Sequence, residues 1–327
     1  MIVKGKKEEK DLIIQAIDNA FQDDSKEEIF SIAKEQPQAY GEDVNTSESH
    51  FLYEENGEIL AVVGNLLGEI KINGKKYPFG RVGSVSTKKG HRGKGLMTAL
   101  LDEVEKEDWE KGTIFSILTG KRERYGRKGY ENGPVSFIFE FSPTSPSDYF
   151  HLLPFEEKYL PEAFSFYQKN DPYQIRTKET FLRTLGTEKG KPYLILREGK
   201  IAGYLSMKED MILELAMEDL SHLKDVLGLF PSKKVSLYCN SLNFPLIQAC
   251  YREGGKVFLY QREMIRVYRP KEFLEMLEAL NHAKQRPVSI PEPYDSKVLV
   301  SSLFPDLKEA TLSDFAYFFD LPFCDLF

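Results

Sequence analysis

Between Lys88 and Met97 the chain reads KKGHRGKGLM, with Gly90, Gly93 and Gly95 interleaved with Lys88, Lys89, Arg92 and Lys94. Glycines let a backbone approach a ligand closely, and a loop that opens a helix presents unpaired N–H groups at the positive end of the helix dipole. The chemistry such a stretch can do is the binding of phosphate, with the basic side chains adding long-range attraction for a polyanion. Two familiar phosphate loops fail on spacing. Gly90 and Gly95 match the glycines of a G-x-x-x-x-G-K-[ST] loop, but Leu96 and Met97 stand where the lysine and hydroxyl belong. A G-x-G-x-x-G dinucleotide loop fails because Gly93 and Gly95 are followed by Thr98.

What the stretch does resemble is the R-x-x-G-x-[GA] segment of the GNAT acetyltransferase superfamily, carried here by Arg92, Gly95 and, at the last position, Met97. The large apolar residue there is similar to the enhanced intracellular survival (Eis) branch. A second segment, Arg124-Tyr125-Gly126-Arg127-Lys128-Gly129-Tyr130, resembles the Tyr-Gly-Arg-aromatic-Gly-Tyr signature of that branch, with Lys128 replacing the aromatic. The resemblance covers most of the chain, with the branch's C-terminal domain much shortened.

This resemblance implies an N-acetyltransferase that takes acetyl-CoA (coenzyme A) as donor and a primary amine as acceptor, such as a polyamine-like metabolite, an aminoglycoside or a lysine side chain. It implies a cofactor site of Val85, Ser86, Thr87, Arg92, Gly93, Lys94, Gly95, Leu96 and Met97, with amides near Val85 to Thr87 holding the thioester oxygen. Tyr125 is the expected general acid, since a phenol of ordinary pKa about 10 stays protonated at neutral pH and can donate to a departing thiolate. The C-terminal carboxylate of Phe327 is the candidate base. His91 is expected to shape the turn rather than take protons. The alternatives are an acyl-CoA sensor that has lost the chemistry and a transferase of peptidyl- or tRNA-linked acyl groups. An acidic chain disfavours the latter.

The elements that must position these residues follow from patterning. Arg81 to Thr87 has strand character, and Leu96, Met97, Leu100, Leu101 and Val104 recur at the spacing of a one-faced helix. Leu96, Leu100 and Val104 of that stripe, with Trp109, are the expected core. Asn56-Gly57 and Asn73-Gly74 each separate apolar runs of strand length, predicting two hairpins. Helices are expected over Glu8–Phe21 and Lys26–Lys34, and Phe137–Phe141 as the strand that closes the first unit. The second half repeats the pattern: Glu198-Gly199 stands where Asn56-Gly57 stood, and Val235–Tyr238 mirrors Phe115–Leu118. Its counterpart of the glycine stretch, Ala216 to Ser221, has no glycine and carries Glu218 and Asp219, so that copy is expected to bind no nucleotide-like group.

The fold class expected is α/β (α+β): tandem GNAT-like domains, each a mixed, mostly antiparallel sheet flanked by helices. The boundaries read are 1–141 for the catalytic domain, 142–265 for the degenerate copy and 266–327 for a short C-terminal segment whose aromatic tail docks toward the active site. At 327 residues the length suits about two domains. The N-terminus lacks the apolar region of a secretory signal and no run is long enough to span a bilayer, so a cytoplasmic location is expected. Cys239, Cys250 and Cys324 are too few and scattered for a disulfide framework or a metal site, and none is expected. A net charge of −7 disfavours nucleic acid and mildly favours a cationic substrate. Partners expected are a small-molecule or peptide amine, with no nucleic acid and no membrane; the chain is free to form a homo-oligomer.

Overall fold

The structure is a computed structural model that describes residues 1–22, 29–142, 149–185, 190–230, 234–240 and 243–281. The chain opens with β1 (Ile2–Lys4), α1 (Lys10–Phe21), α2 (Ile32–Glu35), α3 (Pro37–Tyr40), β2 (His50–Glu55), β3 (Glu58–Ile72) and β4 (Lys75–Thr87). It continues through α4 (Leu96–Glu110), β5 (Phe115–Thr119), α5 (Arg122–Tyr125), β6 (Glu131–Asn132), β7 (Ser136–Phe141), β8 (Phe150–Pro154), α6 (Leu160–Lys169), β9 (Tyr173–Gln174) and α7 (Lys178–Leu185). The remainder is β10 (Lys191–Arg197), β11 (Lys200–Lys208), β12 (Met211–Met217), α8 (Leu223–Leu227), β13 (Val235–Cys239), α9 (Phe244–Arg252), β14 (Lys256–Tyr260), β15 (Glu263–Val267) and α10 (Pro270–Asn281).

Two mixed sheets flanked by helices result, as the tandem reading requires. The first runs β1-β2-β3-β4-β5-β15-β6, with β9 also pairing β3; the second runs β14-β7-β13-β12-β11-β10-β8. In each, a meander of antiparallel strands ends in one parallel pair, β4 with β5 and β12 with β13, whose connection carries α4 or α8. The hairpin dipeptides do what their sequence demands: Asn56-Gly57, Asn73-Gly74 and Glu198-Gly199 all have positive φ at both residues, the turn whose twist matches paired strands.

Three expectations change. Of the helix expected over Lys26–Lys34 only its last part is helical, in α2 from Ile32; residues 29–31 are in no helix, and residues 26–28 lie outside the described residues. The strand Ser136–Phe141 does not close the first sheet; it lies inside the second, paired on one side with β13 and on the other with β14. Its Phe137, Phe139 and Phe141 are buried in the second unit's core. In its place β15 reaches back from the far end of the chain to pair with β5 and β6. Trp109, read as core, is 49% exposed. It lies one position past the buried stripe of α4, against the Tyr268 ring and the Arg269 guanidinium, and Asp108 takes the inward position instead. The cysteines Cys239 and Cys250 are free, buried thiols with sulfurs 3.8 Å apart, and Cys324 lies outside the described residues.

Helices cover both faces of the first sheet. On one face Leu100, Leu101 and Val104 of α4 pack on Ala61, Val63 and Val82. On the other, Ile13 and Ile17 of α1 and Tyr40 of α3 pack on Leu52 and Val62, while Phe273, Met276 and Leu277 of α10 cover Phe79 and Phe115.

Candidate functional site

The site begins where β4 and β5 part. Their parallel pairing comprises Phe79 with Phe115, Gly80 with Ser116 and Arg81 with Ile117, and no pair is made beyond. Past Arg81, β4 therefore keeps a partner only in β3, and a wedge opens between β4 and β5. Within it β4 bulges: Val62 faces Ser86 but Gly64 faces Gly83, so Ser84 and Val85 together oppose Val63. Ser84 takes a φ of 52°, the left-handed region a serine seldom enters, and such bulges re-aim side chains at the point where pairing is interrupted. Val85 turns toward the α4 face, whereas Ser84 meets Tyr40 on the α1–α3 face. Ser86 is buried, and its Oγ has no hydrogen-bond partner among the described residues.

From Thr87 the chain enters the glycine stretch. Gly90, Gly93 and Gly95 have φ of 84°, 77° and 78°, and a Cβ on any of them would meet nothing within 4 Å. The glycines are thus there for backbone conformation, and the space over the loop is open. Gly95 caps α4 without a side-chain bond, and the first helical hydrogen bond runs from the Ala99 N–H to the Gly95 carbonyl. The N–H groups of Gly93, Lys94, Gly95, Leu96, Met97 and Thr98 consequently have no hydrogen-bond partner among the described residues. Arg92, Gly93, Lys94 and Gly95 are exposed around this row of donors.

Arg92 proves to be a strut as well as a charge. Its guanidinium donates to the Ala20 carbonyl at 2.9 Å and to the Thr87 carbonyl at 3.3 Å, tying the loop to the last turn of α1, where a cation complements the helix dipole. Both acceptors are neutral, so the positive charge remains available to an anion. Lys88, by contrast, is paired with Glu58 and so contributes less to the field over the loop than its sequence position suggested.

Tyr125 stands at the end of α5, 7% exposed, in the apolar cluster that also holds Val85, Leu96 and Met97. Its ring meets Tyr130 edge-on with centroids 6.4 Å apart, and Gly120 must lack a side chain because a Cβ there would lie 2.4 Å from the ring. Its hydroxyl has no hydrogen-bond partner among the described residues. Burial pushes the phenol pKa up, and the Arg124 charge opposes this only in part. Lys128, where the resembling signature has an aromatic, forms an ion pair with Asp102 of α4 and pins the turn after Tyr125 to that helix. Tyr130 is fixed in turn by the Ser116 hydroxyl at 2.6 Å.

Val85 through Met97 and Tyr125 thus gather at one end of the β4–α4 unit, while Phe327 lies outside the described residues. Sequence reasoning passed over a further polar group on the opposite face of the wedge: Ser84, Tyr40 and His50, all buried and joined by hydrogen bonds. Nothing in their spacing announces it, because α3, β2 and β4 meet only on folding. Acetyl-CoA has what this arrangement can hold: a pyrophosphate for the free amides and a slender, amide-bearing arm for the wedge. The residues fit it.

Compared with known proteins, residues 2–133 match the model of the acetyltransferase (GNAT) domain. These residues are a GNAT acetyltransferase domain. They hold the wedge, the glycine loop and Tyr125. Solved structures share the fold over most of the chain. A probable N-acyltransferase of unknown function from Enterococcus faecalis aligns at 16% identity over 84% of this chain and 74% of its own, with a TM-score of 0.64. Eis1 from Mycobacterium abscessus aligns at 12% identity over 85% and 76%, with a TM-score of 0.57. The Saccharomyces cerevisiae N-myristoyltransferase, solved with myristoyl-CoA, aligns at 11% identity over 81% and 82%, with a TM-score of 0.52. No curated protein matches the sequence. Among the described residues there is no cluster of metal-ligating side chains, and no helix is long and apolar enough to cross a membrane.

Proposed function

We propose that the chain is an N-acetyltransferase that uses acetyl-CoA to acetylate a primary amine by direct transfer, in the cytoplasm. The observation that carries this reading is the unbroken row of unpartnered amides from Gly93 to Thr98 at the mouth of the β4–β5 wedge. Bound acetyl-CoA supplies an activated thioester carbonyl. The amides of the glycine loop, with Lys94 and Arg92, hold its pyrophosphate, and β4 around Val85 to Thr87 holds the acyl end. Leu96, Met97, Val85 and the Tyr125 ring form an apolar wall that keeps water from the thioester. Tyr125 gives its proton to the departing sulfur, a role suited to a phenol that burial keeps protonated. The second unit has the same strand plan with acidic Glu218 and Asp219 after β12, so we assign one donor site per chain. The two motif segments around Met97 and Tyr125 support kinship with the Eis branch.

Calorimetry with acetyl-CoA, followed by a mass-read screen of amines, tests the reading. Binding together with an acetylated amine product is expected. Binding with no transfer to any amine would make the chain an acyl-CoA sensor, and no binding would remove the reading altogether.

A further inference from the structure

The polar group on the far face of the wedge has a direction built into it. His50 opens β2 opposite Gly64 of β3, and its imidazole lies where a side chain at 64 would be; a Cβ there would sit 3.1 Å from Nε2. His50 Nδ1 lies 2.8 Å from the Thr46 carbonyl, which can only accept, so Nδ1 carries the ring proton of the neutral imidazole. Nε2 then holds a lone pair, and the Tyr40 hydroxyl 2.8 Å away must donate to it. The Tyr40 oxygen is left to accept from the Ser84 hydroxyl. Every donor is therefore assigned from Ser84 inward, and the lone pairs of Ser84 Oγ remain for a donor arriving from the wedge. Ser84 lies on the bulge beyond the last β4–β5 pair, facing α3, while Tyr125 belongs to the α4 face. A direct transfer to an amine needs two services, a proton removed at nitrogen and a proton supplied at sulfur, and the two faces of the sheet offer one group for each.

We propose that Ser84, Tyr40 and His50 form the proton relay that deprotonates the acceptor amine, with Ser84 the catalytic residue that touches the amine and Tyr40 and His50 acting through it. The inference rests on the acetyltransferase reading above. As the N–C bond forms, the amine N–H bond breaks and its proton goes to Ser84 Oγ. The Ser84 hydroxyl proton passes to Tyr40, and the Tyr40 phenol proton passes to His50 Nε2, leaving two neutral hydroxyls and an imidazolium. The C–S bond breaks, and the thiolate takes the Tyr125 proton. When product leaves, the imidazolium returns its proton outward through the same chain, and the Tyr125 phenolate regains one from solvent. For a neutral amine the protons then balance with no other reagent; an amine entering as ammonium releases one more to solvent.

The environment of His50 suits a base that must be empty at the start of each cycle. Burial keeps its pKa below the ordinary histidine value, and Lys4 of β1 acts in the same direction, against the Thr46 and Ser47 carbonyls. Lys10 of α1 lines a small cavity together with Tyr40 and His50, but its amine is turned to the Gly41 and Glu42 carbonyls. Tyr40 is held protonated, its pKa pushed up to about 12 by burial.

The test uses the full chain, acetyl-CoA and the best amine from the screen. Tyr40→Phe keeps the ring packing and removes only the relay oxygen; kcat should fall about 100-fold, within the range for general base catalysis. The acetyl-CoA Kd should be unchanged, and the limb of the kcat/KM pH profile that lies below the amine's own ionisation should vanish together with the curvature of the proton inventory. Ser84→Ala should do the same, and it decides the matter if Tyr40→Phe loses its thermal transition. If the parent turns over and the folded variants keep its rate and profile, the relay is overturned while the acetyltransferase stands. A parent that binds no acetyl-CoA overturns both.

Discussion

Tyr125 and Asp108 are both buried acids, and their surroundings give them opposite uses. Tyr125 is walled by Leu96, Met97 and Val85, so its proton is kept well into the alkaline range and is handed over only when a thiolate forms beside it. Tyr125→Phe should lower kcat about 100-fold with little change in the acetyl-CoA Kd, as steady-state kinetics and calorimetry would show, and the parent should show no alkaline limb below pH 10. Asp108 lies near the opposite end of α4, where burial lifts its pKa to about 6 against the pull of Asn65, Tyr268 and Thr113. Its Oδ2 and Asn65 Oδ1 both lack partners and face the gap beside Gly80, where a Cβ would come within 3.3 Å of each. Because the folded pKa lies above the unfolded 3.8, the native state binds more protons between these values. Its contribution to stability is present at low pH and is lost as pH rises toward 6. A shift of this size corresponds to about 3 kcal/mol. Asp108→Asn places an amide donor beside the orphaned Asn65 oxygen; it should raise the melting temperature at pH 7.5 and hardly change it at pH 4, as thermal denaturation at the two pH values would show.

At the scale of the β4–loop–α4 element, function comes from backbone left unpaired. Gly95 has a φ of 78° and open space at its Cβ position, so Gly95→Ala causes no clash and strains the backbone by about 1 kcal/mol. Relief of that strain turns the first amides of α4 away from one another, and the acetyl-CoA Kd should rise about tenfold. Gly57→Ala in the β2–β3 turn supplies the control: φ there is 79° and its Cβ position is equally open, so it should cost similar stability and leave the Kd alone. Calorimetry and melting curves on the two variants separate the effects. This element was legible in the sequence because it is local: glycines needing positive φ, then apolar residues at helical spacing, lie within one short stretch. What escaped was contact between distant segments. Trp109 read as core because helical periodicity does not reveal where a stripe ends, and an inward aspartate is explained only by Asn65 and Gly80 across the sheet. The Ser84–Tyr40–His50 chain escaped for the same reason.

For the whole molecule, the duplicated hairpins made the tandem plan readable, but the exchange of strands between sheets left no local trace. β6 and β15 are antiparallel neighbours, Asn132 opposite Met264, yet the second sheet and its helices intervene in sequence. The second unit is therefore an insertion into a hairpin of the first, and the family match ends at residue 133, where the insertion begins. A cut near 141 would strip the first sheet of β15, leaving the β5 edge unpaired, and of α10, whose Phe273, Met276 and Leu277 cover Phe79 and Phe115. The same fragment would carry β7, whose three phenylalanines have their core elsewhere. Unpaired edges with exposed apolar surface associate. A fragment of residues 1–141 should accordingly aggregate. Joining residue 133 to residue 262 through an Asn-Gly turn follows the hairpin already present, since the Gly133 N–H bonds the Glu263 carbonyl at 2.8 Å. That chain, ending at 281, keeps β15, α10, the glycine loop and Tyr125. It should elute on size exclusion as a discrete species rather than an aggregate and bind acetyl-CoA within about tenfold of the full chain. The cost is what the second unit gives to β3 and the α3 end: the β9 pairs at Ile70 and Lys71, the Ile175 N–H to the Glu69 carbonyl, the Asn73 N–H to the Asp171 carboxylate, and the Arg183 guanidinium to the Asp43 carbonyl. If the joined chain aggregates as the 1–141 fragment does, the second unit is part of the first unit's folding core and not an insertion beside it.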